Sequence, residues 1–536
     1  MAAVGSVFDL RVGLGRGQTP GACGEARPHS FPDAAPIMTK RLLIDLKPAL
    51  DGYAGIPQET RLLFANLKRL GADFEVDGLV QHGSGVLSSN GADAGIALAP
   101  DEKAFRDARL VSSLCRSAVR TIVPGLPRPM QRKLHLQLLR WQAVRGRPVG
   151  LGAFESPFFD DFVWRHLFAA SIDLADKELV TRSRFRVVSP SRRQLHEVGL
   201  AGFAGLFAPR HLELDTRGYD HLVVQTPFPA RIPPSTRLVV RYHDAVPILM
   251  PHTIADRDFH MASHHRALKR NIADGARFAC ISRTTRDDLV ALFPEVETRA
   301  TVIHNMVSQD YFPADEPASR AFDIIADRLD GEHDGFGLRS ELGPAIETWG
   351  RAGGRYLLMV ATIEPRKNHR MLITAWERLR HLRPDLKLVL VGGNGWEHER
   401  IAEAMHPWMR RGELLRLTRV PSEELRVLYH HAAVTVCPSL GEGFDYSGIE
   451  AMASGGLVAA SDIPVHREVF GAGSAYFDAY AADEAAAVIG RLLADEHRDE
   501  REGLRAVGTA LAARYTAAEI LPRWREFFAA EDDAKR

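Results

Sequence analysis

Short apolar runs alternate with amphipathic stretches along most of the chain, the pattern of a doubly wound α/β fold. Arg41-Leu-Leu-Ile-Asp-Leu46 predicts a buried strand, Asp51–Ile56 a turn, and Gln58–Leu70 a helix with Pro57 at its start. Further strands are expected in the first half at Leu238–Tyr242, Phe278–Ser282 and Thr301–His304. The second half is more regular. Strands are expected there at Tyr356–Ala361, Leu386–Val391, Leu414–Val420, Val434–Cys437 and Leu457–Ser461, with helices between them and Ser422 as an N-cap. Such alternation implies parallel sheets covered on both faces. A last helix, about Ala517–Ala530, reads as packing back across the chain, and no repeat of solenoid period is present.

Length turns this pattern into domains. At 536 residues the chain exceeds what one core organises. The expectation is a flexible extension at 1–38, rich in Gly, Pro and Ala, or an over-extended gene start with Met38 as initiator. A first Rossmann-like domain follows at 39–312, interrupted by an irregular basic insertion at about 71–220. A polar linker is expected at 313–354, a second Rossmann-like domain at 355–512, and a returning helix at 513–536.

Composition narrows the partners. The 68 basic and 68 acidic residues balance, which argues against nucleic acid. The four cysteines show no paired spacing, so a reducing, cytoplasmic setting without a zinc site or disulfide framework is expected. No run approaches the roughly 18 apolar residues of a membrane span. Arg109–Gly152 contains no acidic residue, and within it Pro129–Val144 predicts an amphipathic helix with Leu134, Leu138 and Trp141 on one face. Two readings stand: an ordinary surface helix, or peripheral contact of 109–147 with an anionic membrane on its inner face.

The chemistry concentrates in Glu442-Gly-Phe-Asp-Tyr-Ser-Gly-Ile-Glu450, a glycine-containing loop between a strand and a helix N-terminus. Free N–H groups and the helix dipole make that geometry an anion site. Carboxylates belong there only if they take hydroxyls while phosphate meets the N–H groups, which describes a sugar nucleotide. Thr362-Ile-Glu-Pro-Arg-Lys-Asn368 also follows a strand and opens a helix. Arg366 and Lys367 at that end read either as a solvated basic pair or as partners of a diphosphate. Tyr242-His243-Asp244 ends a strand, where open sheets bind ligands. His243 there reads either as structural or as a ligand contact, with Asp244 fixing its tautomer or capping the next segment. Gly392–Gly395 is a weak turn signal, and Gly52 and Gly55 follow the first strand, where backbone often approaches phosphate.

These segments resemble the retaining, nucleotide-sugar-dependent glycosyltransferases of family four, in particular a bacterial mannosyltransferase-like group. The carriers are Tyr356–Asn368, Leu388–Trp396, Val434–Ser461 and Ile463–Glu468, with Leu43–Gly55, Arg241–Pro247, Phe278–Pro294 and Val302–Val307 in the first half. The resemblance implies the GT-B architecture, two Rossmann-like domains with the active site in the cleft between them. It implies that Glu450 takes the ribose hydroxyls, that Glu442 lies at the donor sugar, and that Lys367 with Arg366 holds the leaving diphosphate. The loop Gly443, Phe444, Asp445, Tyr446, Ser447 and Gly448 would complete the donor cradle. His243 would sit at the reacting sugar, Gly55 would leave room for phosphate, and the acceptor would bind mainly the first domain.

Three departures stand out. Asp445-Tyr446-Ser447 replaces a Gly-Leu-Pro-like run, Thr362 stands where Arg is frequent, and Ala361 where Gly is common. Asp445 is therefore expected to reshape donor choice. No Asp-x-Asp pair stands at a strand end, so no essential metal and no cofactor are expected.

The implied function is transfer of a hexose, with mannose the first guess, to a glycan or lipid-linked acceptor in surface polysaccharide or lipopolysaccharide synthesis. A sugar-nucleotide epimerase or hydrolase of the same fold, or a non-catalytic nucleotide-sugar-binding protein, are the alternatives. A dinucleotide oxidoreductase is disfavoured, because Asp51–Ile56 lacks a Gly-x-Gly-x-x-Gly fingerprint.

Overall fold

A computed structural model of the protein describes residues 39–53, 55–71, 73–81, 99–115, 127–155, 157–200, 210–313, 315–329 and 339–530. The extension at 1–38 and the central part of 109–147, residues 116–126, lie outside them. Among the described residues the strands form two sheets. The first contains β1 (Lys40–Asp45), β2 (Phe74–Gln81), β3 (Gly152–Phe154), β4 (Phe185–Val188), β5 (His221–Val224), β6 (Arg237–Tyr242), β7 (Arg277–Cys280) and β8 (Ala300–Val302). Their order is β3-β4-β2-β1-β5-β6-β7-β8, parallel except for β3 at the edge. The second sheet is wholly parallel. It contains β9 (Arg355–Val360), β10 (Leu386–Val391), β11 (Leu414–Leu417), β12 (Val434–Cys437), β13 (Val458–Ser461) and β14 (Ser474–Phe477), in the order β11-β10-β9-β12-β13-β14.

Alternation along each strand feeds two cores per sheet. Val239 of β6 joins one first-domain cluster and Val240 with Tyr242 the other. Val434 and Val436 of β12 join the cluster around Trp376, while Cys437 faces the opposite one. Both faces of each sheet are thus covered, which is why the central strands read as continuous apolar runs.

The structure corrects the expected organisation in two places. The stretch 71–220 is not an insertion, because β2, β3 and β4 within it are integral to the first sheet. Polar residues hid β2. Its Asp77 is buried and accepts from Tyr219 Oη at 2.5 Å and Arg184 Nε at 3.0 Å. The stretch 313–354 is not a polar linker either. It holds helices Ala318–Asp327 and Arg339–Arg351, whose Phe322, Ile325 and Ile346 pack with Tyr356 in the second-domain core. Ser422 is the first residue of its helix rather than the cap, and its hydroxyl donates to Asp310 at 3.0 Å.

The last helix, Ala517–Ala529, returns to the first domain. Its Trp524, Phe527 and Phe528 join the core beneath β1 and β2, and Arg277 Nη1 donates to the Phe527 carbonyl at 2.7 Å.

Candidate functional site

The two sheets direct their strand C-termini at a shared cleft of about 1460 Å³. Of the residues expected from the sequence, His243, Gly55, Arg366, Lys367, Glu442, Gly443, Phe444, Asp445, Tyr446, Ser447 and Glu450 all line it. Gly448 does not. It lies inside helix Tyr446–Ala453, where a Cβ would stand 2.2 Å from the Phe470 ring, so it serves helix packing.

The loop after β9 closes in a short turn, Pro365–Lys367, and Asn368 in left-handed conformation (φ 63°) starts helix His369–Leu382. Asn368 Nδ2 donates to the carbonyls of Pro438 at 3.1 Å and Ala479 at 2.7 Å, tying this turn to the loop after β12. That bracing delivers both cations to Glu442. Lys367 Nζ stands 2.6 Å from Glu442 Oε1 and Arg366 Nη1 2.7 Å from Oε2. Arg366 also donates to Gly441 O at 2.7 Å and Glu364 Oε1 at 2.8 Å. Burial works against every charge here, but the mutual attraction outweighs it. Glu442 is held below the usual carboxylate range by Arg366 and Lys367, and both cations are held above theirs.

Asp445, also left-handed (φ 61°), has both oxygens engaged within the second domain. Ser447 Oγ donates to Oδ1 at 2.6 Å, and His466 Nε2 lies 3.0 Å from Oδ2. Burial would raise its pKa, but His466 and Lys367 bring it well below the usual value. Its carboxylate therefore anchors the loop to helix Pro464–Phe470. Phe444 is buried against Tyr446 and Tyr515 at ring separations of 5.3 and 5.2 Å, so its side chain is core. Tyr446 crosses to the first domain. Its hydroxyl donates to Glu59 Oε2 at 2.8 Å, and Glu59 forms a fully buried ion pair with Arg241 at 2.8 Å.

Glu450 meets no cation among the described residues. Gln58 Nε2, from helix Ile56–Arg69 of the first domain, donates to Oε1 at 2.7 Å, and Tyr429 Oη to Oε2 at 3.3 Å. Burial pushes its carboxyl up to about 7, against the hydrogen bonds of Gln58, Tyr429 and Tyr311.

On the first-domain wall, the carbonyl oxygen of His243 lies where a Cβ on Gly443 would come to 1.9 Å. Only glycine allows the two loops to meet so closely. His243 Nε2 pairs with Gln225 Oε1 at 3.0 Å. Burial first, and then Arg241, pushes its pKa well below the ordinary value, so the imidazole is neutral. Asp244 does not orient it; its Oδ1 accepts from Val246 N at 3.0 Å. Gly55, at φ 71°, caps helix Ile56–Arg69 and has open space where a Cβ would be.

The sequence left Gln58, Glu59, Gln225, Tyr311, Tyr429 and His466 unassigned. The only signal for Gln58-Glu59 was a polar pair in the first helical turn beside the glycine turn, and for Gln225 a polar residue ending an apolar run. Among the described residues, no group of three or more His, Cys, Asp or Glu is placed to hold a metal ion. No helix among them is long and apolar enough to cross a membrane.

Residues 348–507 match the family Glycosyl transferases group 1. The match spans all six strands of the second sheet. The chain is similar to O-antigen chain mannosyltransferase B of Escherichia coli, with 27% identity over 319 residues, 58% of this chain and 75% of that protein. It is also similar to the serotype-specific mannosyltransferase WbdA of Escherichia coli, with 33% identity over 139 residues, 26% of this chain and 17% of that protein. Sucrose-phosphate synthase from Thermosynechococcus elongatus shares the chain's fold, GT-B, at a TM-score of 0.52 and 15% identity, covering 92% of this chain and all of that one (100%).

Proposed function

We propose that the protein is a glycosyltransferase that moves a hexose, mannose first among candidates, from a nucleoside-diphosphate sugar to a growing glycan or lipid-linked acceptor, with retention of configuration and without a metal ion. The observation that carries this reading is the pairing of Arg366 and Lys367 with Glu442 in a cleft that also holds Glu450 and His243. A donor diphosphate entering the cleft competes with Glu442 for the two cations, which frees that carboxylate for sugar hydroxyls. Charge that builds on the departing diphosphate then meets fixed cations and N–H groups, which lower the barrier without reorganisation. Glu450 takes the ribose hydroxyls in exchange for Gln58. The choice of mannose follows the names of the O-antigen relatives.

The test is a panel of GDP-mannose, UDP-glucose and related donors with a glycan acceptor, read by nucleoside diphosphate release and product stereochemistry. Transfer from GDP-mannose with retained anomeric configuration is expected. An inverted product rejects the retaining mechanism, and turnover without acceptor points to an epimerase or hydrolase.

The acceptor reading extends to an anionic membrane surface. Helix Arg128–Val144 buries Gln131, His135, Leu139 and Ala143, while Met130, Leu138, Trp141 and Val144 are exposed. Leu134 is half-buried, so it does not share the exposed face. Exposed Lys133, Arg145 and Arg147 flank that face, and the Arg145 guanidinium stacks on Trp141 at 3.4 Å. Apolar anchors ringed by cations suit anionic headgroups. Co-sedimentation with anionic but not zwitterionic vesicles is expected, and Trp141→Glu should weaken it.

A further inference from the structure

The imidazole of His243 has one side-chain hydrogen-bond partner among the described residues, the amide of Gln225. Gln225 directly follows β5, is fully buried and does not line the cleft. Its place follows from strand alternation. Val223 of β5 pairs in register with Val239 of β6, and both enter the same core cluster. Two residues on from Val239 comes Arg241, and two further His243; two on from Val223 comes Gln225. The side chains of Gln225 and His243 therefore rise on one face of adjacent strands. The residues before it in β5, Leu222, Val223 and Val224, are apolar and buried, so the amide ends an apolar run. A buried amide without a partner is costly, about 1–3 kcal/mol. Its oxygen is satisfied by His243, and its nitrogen has no partner among the described residues.

We propose that Gln225 is a positioning residue for the transfer reaction. Its amide oxygen accepts from Nε2–H of His243, and this fixes the tautomer that leaves Nδ1 as the acceptor for a hydroxyl of a reacting sugar. The inference rests on the reading of His243 as the first-domain contact to the reacting sugars. A neutral amide orients the ring without charging it. A carboxylate in the same position would draw a second proton onto the imidazole. An imidazolium would then stand beside an oxocarbenium-like transition state and raise its energy.

The charged groups on the elements packed around His243 are few. Arg241 lies on its own strand and is neutralised by Glu59 of the first helix. Asp244 follows it in the chain, and across the cleft stand Arg366, Lys367 and Glu442, paired among themselves. None of these hydrogen-bonds the ring, so the amide alone sets its orientation.

The experiment measures kcat at saturating donor and acceptor across about pH 6 to 8.5. It uses the full-length enzyme and the variants Gln225→Glu, Gln225→Met and His243→Ala. Each variant is expressed as a ratio to wild type at the same pH, which removes the titration of Glu450 common to all. Stabilisation by nucleoside diphosphate reports that each variant is folded. Gln225→Glu is expected to lose transfer progressively toward acid pH, by about tenfold per unit below the raised pKa of His243. Gln225→Met should be slower by about tenfold or more at every pH, with donor KM within about twofold. A Gln225→Glu ratio that is flat with pH, or a Gln225→Met enzyme at wild-type kcat, while His243→Ala is inactive, overturns the proposal and leaves the role of His243 standing. Wild-type transfer by His243→Ala removes the role of His243 itself, and the proposal with it.

Discussion

The two ends of the loop from Glu442 to Glu450 carry the same side chain in opposite electrical settings. Glu442 is clamped between Arg366 and Lys367 and stays ionised. Glu450, eight positions later, is surrounded by an amide and two phenols and is pushed up to about 7. A buried carboxylate is costly in either place. It is offset by cations at the first end and by neutral hydrogen bonds at the second. The first end thus holds permanent charge. The second holds a group that titrates near neutrality and can exchange one set of hydroxyl-like donors for another.

Removing a cation should break this contrast most severely. Lys367→Ala is expected to lower transfer by about 10²–10³-fold, measured as nucleoside diphosphate release. Arg366 remains on Glu442, so the protein should stay folded. Near-normal transfer would remove Lys367 from the machinery.

The Glu450 end predicts a pH effect of intermediate size. If the ionised carboxylate takes the ribose hydroxyls, nucleoside diphosphate affinity should rise by about tenfold from about pH 6 to about pH 8. Isothermal titration checks this, and Glu450→Gln should abolish the slope. Stability must move the other way. The folded-state pKa of Glu450 lies above its unfolded value, so its contribution is fully present below about pH 4.5 and is lost as pH rises through about 7. Denaturant midpoints of the nucleotide-free protein should therefore fall across that window more in wild type than in Glu450→Gln.

The smallest effect belongs to Gln58. Its hydrogen bond lowers the pKa of Glu450, so Gln58→Leu should shift the binding profile toward alkaline pH. Affinity at about pH 8 should change less than about tenfold. An unshifted profile would mean that Gln58 does not govern Glu450.

Legibility followed the same divide between local and long-range causes. The clamp was half visible, because Arg366-Lys367 and Glu442 each follow a strand whose apolar run is plain. Their direct pairing was not visible, since it depends on Asn368 bracing two loops 70 residues apart. β10 and β12 could be read to the residue because both their faces are buried. β2 could not, because Asp77 and Gln81 lie within it and the side chains they bond, Tyr219, Arg184 and Asp45, lie far along the chain. Gln58, Tyr311 and Tyr429 meet Glu450 from three separate segments, and no spacing in the sequence announces such a meeting. Asp445 was seen as a third acid in the loop, but its engagement by His466 and Ser447 was not.

Trp524 has a consequence for how the chain comes to life. Its indole lies fully buried in the first-domain core, with the Arg241 guanidinium 5.3 Å from its ring. Chains leave the ribosome from their N-terminus, and domains generally fold as they emerge. Here the first sheet is complete at β8, yet part of its covering wall arrives more than 200 residues later. During synthesis the apolar surface beneath β1 and β2 stays uncovered until the second domain has been made. The first domain therefore matures last, although it is translated first.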